Sequence, residues 1–544
     1  MLKIPVREPG TLRRSTFRSA VDGSVQEYCV LPPRGERETG EPPRLLLSLH
    51  GAGVAAWGQA ASYAALPDFW HVAATNRRPF GFDWQDWGRI DLYEVRDRAL
   101  ALSGVSRRHV VLGGHSMGGH GVWHLAANDP DGFAAIAPSA AWRSFDTYGG
   151  RPAGALRALW HAADAASDTE ALADNLAGIP TYILHGEKDE SVPVEEALAM
   201  RDLLAAKGAP LRFHIEPGQG HWWDAGIGPG TDCLAWPGFY ELFRASALPP
   251  APRAIAFASV DPVVDADHYW VHVAQPLAYG APLSVRGAWI PEERRIELAT
   301  ANVGRLRVDA PGWNGVDTIV VDGAALAVDR EGGSWWLRRD EGAWVLAGAP
   351  PAAEKRPGRS GPFKRAFDRR FLLVVPTAGT AEENERALES ARWHGEGWWY
   401  RGNGDAPIVT DEEVLAAGFA GQNLLLFGNR DTNRAWAAAV PALAPIDVAR
   451  GAVRVGERTF AGGDLGVLAV LPRAGDEAAL VGLLATSGPP GERVATTLAP
   501  FVSGVGIPDY AVYATSVLRA GDGGVCAAGW LSADWGLGDG AGGR

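Results

Sequence analysis

Residues 107–130, RRHVVLGGHSMGGHGVWHLAANDP, constrain the fold of this chain more than any other stretch. The segment from His109 to Leu112 is short, apolar and rich in β-branched residues, which predicts a strand, and Gly113 and Gly114 end it before a sharp turn around Ser116. Beyond the turn Val122, Leu125 and Ala126 share one face at helical spacing, and Asp129-Pro130 stops the helix. The reading is strand, turn, helix, with a serine at the apex.

Gly114-His115-Ser116-Met117-Gly118 is a G-x-S-x-G pattern. The chemistry needs small residues two places either side of the serine, because a Cβ there would meet the neighbouring strand or helix. Such a turn lifts the serine Oγ out of the sheet and sets the Met117 N–H at a helix start, where it can face a developing oxyanion. With 68 glycines in the chain the five-residue pattern alone is weak, so it is the flanking strand and helix that give it meaning.

Upstream, residues 16–32 read as a hairpin turning at Asp22-Gly23, and residues 45–49 as a strand buried on both faces in a parallel sheet. That strand ends in His50-Gly51-Ala52-Gly53, where Ala52 N–H is the first candidate for a second oxyanion donor and Gly53 the next. The alternative is an ordinary strand-to-helix turn. The loop 76–87 carries Phe80, Phe82, Trp84 and Trp87, which could line a ligand pocket, although clustered aromatics more often anchor a loop.

Downstream, residues 133–142 read as the next strand, residues from 181 as strand, loop and helix, and residues 211–216 as a further strand. Asp189 and His221 each fall on a loop after a strand. The order Ser116, Asp189, His221 is that of an α/β-hydrolase sheet and differs from the chymotrypsin and subtilisin orders. Glu187, Glu190 and Asp224 compete with Asp189 for the acid, and His115, His120, His124 and His185 compete with His221 for the base. Asp189 is favoured by its place before the Val192-Pro193 helix entry. His221 is favoured because side chains adjacent to the serine point away from it at such a turn.

GHSMGGHGVWHLAANDPDGFAAIAPSAAW, ILHGEKDESVPV and GQGHWWDAGIGPGTDCLAWPGFYELF together resemble the alpha/beta-hydrolase superfamily, in particular prolyl-oligopeptidase-family serine peptidases and carboxylesterases of the polyhydroxybutyrate-depolymerase and feruloyl-esterase type. The resemblance covers residues 45–243. It implies Ser116 as nucleophile, His221 as base, Asp189 as orienting acid and an oxyanion hole at Ala52 and Met117. No series of roughly 40-residue propeller repeats precedes the catalytic part, a departure from the prolyl oligopeptidases that turns the reading toward esters, with a peptidase as alternative. A binding protein on an idle hydrolase fold is the third possibility.

The length, 544 residues, exceeds one core and predicts several domains. The expected layout is an α/β-hydrolase catalytic domain over 1–248, a β-sandwich domain with proline-rich linkers over 249–356, and a second, smaller, non-catalytic α/β domain over 357–544. The β-sandwich rests on short alternating runs separated by Gly, Asp and Pro turns; the last domain rests on apolar runs such as FLLVVPT and NLLLFGN alternating with helical segments. A net charge of −13 argues against nucleic acid, and no run approaches the length of a membrane span. The first residues show no apolar core of a signal peptide, so the expected location is cytoplasmic. Three scattered cysteines, Cys29, Cys233 and Cys526, fit neither a disulfide framework nor a metal site, and the triad requires no cofactor. Among 22 tryptophans, Trp57, Trp142, Trp222 and Trp223 are expected to form an aromatic wall for a small-molecule ester or peptide substrate. Oligomeric state is left open.

Overall fold

A computed structural model describes residues 8, 10–37, 40–150, 154–313, 315–498 and 500–538. The chain is a large mixed α/β protein built of several sheets and intervening helices.

The first sheet has eight strands: β1 Arg13–Arg18, β2 Val25–Leu31, β3 Arg44–Leu49, β4 Phe69–Ala74, β5 Val110–His115, β6 Ile136–Ser139, β7 Thr181–Gly186 and β8 Leu211–Glu216. Their order is β1-β2-β4-β3-β5-β6-β7-β8. The hairpin β1–β2 and the β2–β4 pair are antiparallel, and every later pair is parallel. β3 and β5 are buried at every position, as their continuous apolar runs require of central parallel strands. The predicted strand over 133–142 narrows to Ile136–Ser139. Leu47, Leu112 and Val122 belong to the core on one face, together with residues of helices Asp86–Ser103, Met117–Asn128 and Val194–Ala206. Leu46, Val111 and the helix Pro237–Ala245 form the core on the other.

Residues 254–347 build two five-stranded sheets that share one apolar cluster. The run RRIELATANVGRLRVDAP becomes two strands, Arg295–Ala301 in one sheet and Val303–Asp309 in the other. The switch falls at Asn302, whose φ is 54° and whose side chain bonds to the backbone of Ala278 and Ala281.

After residue 357 a seven-stranded mixed sheet follows, flanked by the 22-residue helix Ala381–Gly402. Thr380 caps that helix in a reciprocal capping box with Glu383. The core of this sheet takes in three buried side chains from the first region, Val21, Phe82 and Trp87. Trp87 meets Trp398 edge to face at 4.9 Å and donates its indole N–H to Phe367 O at 3.2 Å. Beside them Arg77 pairs with the fully buried Asp22 at 2.5 Å and donates to Gly402 O at 2.8 Å. The loop 76–87 is thus a bolt between the first and last sheets: Phe82 and Trp87 are anchors, Trp84 enters the first core, and only Phe80 is widely exposed.

Candidate active site

β5 delivers Ser116 to the C-terminal edge of the sheet with φ 59° and ψ −121°, a backbone conformation costly for any residue with a Cβ. The strain is held from both sides. Ser116 N–H donates to Ser139 O at 2.9 Å, and His120 N–H donates to Ser116 O at 3.0 Å. A Cβ on Gly118 would lie 2.0 Å from Leu49 O, and one on Gly114 would lie 2.4 Å from Gly118 O. The glycines of the motif are therefore required by contact with β3 and with the turn itself.

His221 lies on the loop after β8, with Nε2 2.9 Å from Ser116 Oγ and Nδ1 2.8 Å from Asp189 Oδ2. Asp189 sits after β7, its carboxylate wholly enclosed. Oδ1 accepts from the Ser191 and Val192 amides at 2.8 and 2.9 Å, which fixes the carboxylate plane. Burial alone would raise its pKa, but hydrogen bonds from His185, His221 and the Val192 amide outweigh burial and hold the carboxyl well below the usual range. An ionised Asp189 on Nδ1 assigns the proton of a neutral His221 to that nitrogen and leaves Nε2 to accept from the serine hydroxyl.

Two competing histidines take supporting places. His185 Nε2 stands 3.3 Å from Asp189 Oδ2 and donates to Val192 O at 2.9 Å, bracing the acid from behind. His115 does not simply point away: its ring packs 4.8 Å from that of His221, while its Nδ1 lies 3.1 Å from Ser139 Oγ. Burial, and then the neighbouring His221, push its pKa down to about 3, so it stays uncharged beside Ser116 and His221. His120 stacks on Trp142 and bonds to Gln85, and His124 is buried farther along the helix. Glu187 accepts from Gly218 N–H, Asp224 from Gly226 N–H, and Glu190 is exposed.

The turn after β3 faces the serine. A Cβ on Gly51 would be 3.4 Å from Ser116 Cβ. Gly53 N–H is spent on Pro79 O at 3.0 Å, whereas Ala52 N–H and Met117 N–H meet no protein acceptor among the described residues. His50 and Trp84, neither of which the sequence reading singled out as a support, hold this turn: Trp84 donates to His50 O, and His50 Nε2 lies 2.9 Å from Thr75 O. The histidine directly after the strand in HGAG was the available signal.

The expected four-tryptophan wall does not form. Trp223 is buried on the face opposite the serine helix, edge to face with Trp236, and Trp57 packs with Cys29 and Ala73 beneath Arg14. Trp142 is buried in a stack between His120 and Tyr148. Trp222 is open to solvent at 51% and meets His115 edge to face at 5.2 Å. Phe80, 67% exposed, lies against Gly53. Two residues on adjacent loops, one of them Trp and one Phe, thus make the aromatic rim. No helix among the described residues is long and apolar enough to cross a membrane.

Residues 75–228 match the Prolyl oligopeptidase family. An uncharacterized secreted protein of Arthroderma benhamiae is 25% identical over 576 residues, covering 96% of this chain, and the chain spans 59% of that relative's length. This finding overturns the expected cytoplasmic location. Among solved structures, the uncomplexed acylaminoacyl peptidase of Pyrococcus horikoshii is 15% identical, with 44% of this chain and 42% of that chain covered and a TM-score of 0.35. An S-formylglutathione hydrolase from Staphylococcus aureus is 17% identical, with 39% of this chain and 92% of that chain covered and a TM-score of 0.31. A thermostable esterase is 17% identical, with 43% and 63% covered and a TM-score of 0.31.

Proposed function

We propose, from the premise that this is an alpha/beta-hydrolase superfamily protein with a prolyl-oligopeptidase-family serine-hydrolase-like domain, that it cleaves carboxylic esters through an acyl-enzyme on Ser116. The observation that carries the reading is the continuous relay Asp189–His221–Ser116, with both of its hydrogen bonds under 3 Å.

In this reading His221 Nε2 takes the Ser116 proton as Oγ attacks the ester carbonyl carbon. The Ala52 and Met117 amides, which meet no protein acceptor among the described residues, stabilise the oxyanion that forms. Collapse expels the alcohol, which receives the proton from His221. Water then attacks the acyl-enzyme with His221 as base, releasing the acid and restoring the serine. Asp189 holds the imidazole and stabilises its cation throughout. Each group is a residue of this chain, and the sequence of steps calls on no cofactor.

The remainder of the chain is read as a β-sandwich domain over 249–356 and a non-catalytic α/β domain over 357–544, the latter framing the catalytic domain over 1–248. The support is contact: Arg78 lies over Trp399 and donates to its carbonyl, next to Phe80 on the rim. An ester is favoured over a peptide because the exposed rings nearest the site, Trp222 against His115 and Phe80 against Gly53, are apolar and offer no partner for a peptide main chain.

The deciding experiment is kcat/KM for a matched short-acyl ester and peptide amide, with Ser116→Ala as blank. A large ratio in favour of the ester, abolished in the variant, is the expected result. Comparable rates would make the protein a peptidase. Failure of Ser116 to react with a fluorophosphonate probe would overturn the enzyme reading altogether.

A further inference from the structure

The helix that begins at Met117 ends at Asn128 in the turn Asp129-Pro130-Asp131-Gly132. Two carboxylates at a helix C-terminus stand against the negative end of the helix dipole, which disfavours anions there and favours a cation. A third carboxylate comes from a distant part of the chain: Asp265, in the segment leading into the strand Asp267–His268, is brought to the same place with His268. One side-chain ligand atom from each of Asp131, Asp265 and His268 falls within a group no more than 4.8 Å across.

Charge and hydrogen bonding separate these three from their neighbours. Asp129 has a guanidinium partner, Arg96, at 3.6 Å, and Asp267 has His272 at 2.8 Å. Asp131 Oδ2 accepts from Tyr269 N–H at 2.7 Å, but its Oδ1 is buried without a hydrogen-bond donor. His268 is only 2% exposed, and neither ring nitrogen has a hydrogen-bond partner. Its Nδ1 is aimed at Asp131 Oδ1 from 3.8 Å, too far for a hydrogen bond, while its ring stacks on Phe257 at 3.9 Å. A buried imidazole with two idle nitrogens is costly, and a metal ion is one partner that an imidazole lone pair can take. Asp131 and Asp265 line a cavity of about 630 Å³ that Arg96, Arg107, Arg108 and Asp129 also line, while His268 closes the group from the buried side; the cavity leaves room for water on the remaining coordination positions.

We propose that Asp131, Asp265 and His268 bind one divalent first-row cation, best matched by Zn²⁺, which clamps the turn after the Ser116 helix to the strand Asp267–His268 and the segment leading into it. One imidazole and two carboxylates suit Zn²⁺, whereas Ca²⁺ takes six to eight oxygens. Metal–ligand bonds of about 2.0–2.2 Å need the ligand atoms about 3–3.5 Å apart, so binding draws the group together by roughly 1 Å. The ion neutralises the crowded carboxylates, completes His268 and joins two parts of the chain that are far apart in sequence.

The test uses the full chain, stripped with a chelator and dialysed. Calorimetric titration with Zn²⁺ is expected to give one ion per chain, weakened at least about 100-fold in both Asp265→Asn and His268→Gln. Saturating Zn²⁺ is expected to raise the Tm of the wild-type chain by about 5 °C and to leave the variants unmoved. Asp265→Asn removes one crowded charge, so its stripped form should melt no lower than the stripped wild type; this variant decides the matter if His268→Gln does not fold. No stoichiometric Zn²⁺ binding, or equal binding in wild type and Asp265→Asn, overturns the site. Binding of Ca²⁺ in place of Zn²⁺ at the same residues overturns the assigned ion.

Discussion

The indole N–H of Trp84 donates to the main-chain carbonyl of His50 at 3.1 Å, and the two rings meet edge to face with centroids 4.9 Å apart. This contact joins the loop 76–87 to the turn that packs against Ser116 and carries Ala52, the proposed oxyanion donor. Preorganised donors are effective because they need not reorient as charge develops, so whatever holds the turn also holds the rate. Trp84→Phe keeps most of the buried ring and removes the bond. The expected outcome is a fall in kcat of about tenfold with KM little changed, as for a modest misplacement of a catalytic group. Steady-state kinetics on one ester checks it; a change confined to KM would mean that Trp84 acts on substrate binding instead.

Gly118→Ala tests the packing of the elbow. In a helix interior alanine is favoured over glycine by about 1 kcal/mol. Here the added Cβ would sit 2.0 Å from Leu49 O, a backbone atom of a central strand that cannot step aside. Overpacking of that kind costs about 3 kcal/mol and wins. A lower urea midpoint together with lost activity is expected; an unchanged or raised midpoint would remove the close-approach account of the motif.

Trp87→Ala tests whether the first and last sheets depend on one another. The side chain is fully buried among Phe82, Phe367, Trp398 and Phe501. Its loss is expected to cost about 3–5 kcal/mol and to lower activity as well, since Phe80 and Trp84 share the loop. Limited proteolysis should show residues 357–538 cleaved more readily in the variant. Unaltered cleavage would mean that the loop docks without contributing stability.

Asp91 sets a pH dependence of known sign. Burial pushes its carboxyl up to about 6, with the Arg77 charge and the hydrogen bonds from the Arg77 and Thr75 amides too weak to compensate. In the unfolded chain the value is about 3.9. The unfolded state therefore releases this proton first, and the associated stability is present below about pH 4 and is lost as the pH rises through 6. By pH 7 the loss is about 3 kcal/mol. Asp91→Asn is expected to flatten the decline in Tm between pH 4 and 7; a decline as steep as in the wild type would refute the assignment.

The order Ser116, Asp189, His221 along the sheet edge was legible because it depends on local chemistry. Ser116, Asp189 and His221 each follow a strand with a strong apolar signature, and glycines mark the turns that present the serine and the histidine. The sheet flanking them was legible for the same reason. The aromatic wall was not, because adjacent residues such as Trp222 and Trp223 take opposite environments, and sequence alone does not say which side of a loop meets the core. Nor could the run around Asn302 reveal that its two halves enter different sheets, since alternation is the same in both.

What the sequence by itself determined is the set of elements whose cause lies within a few residues: the strained elbow with its glycines, the buried central strands, the capped helix at Thr380 and the order of the three polar residues. What only the tertiary structure decided is every relationship between distant segments. Phe82 and Trp87 leave one sheet's loop to fill another sheet's core, His185 comes to rest behind Asp189, and Asp131 meets Asp265 and His268. The physical reason is that backbone conformation and amphipathic pattern act over the span of one element, whereas the burial of an aromatic ring or the company of a charge is settled by which surfaces meet when the elements pack.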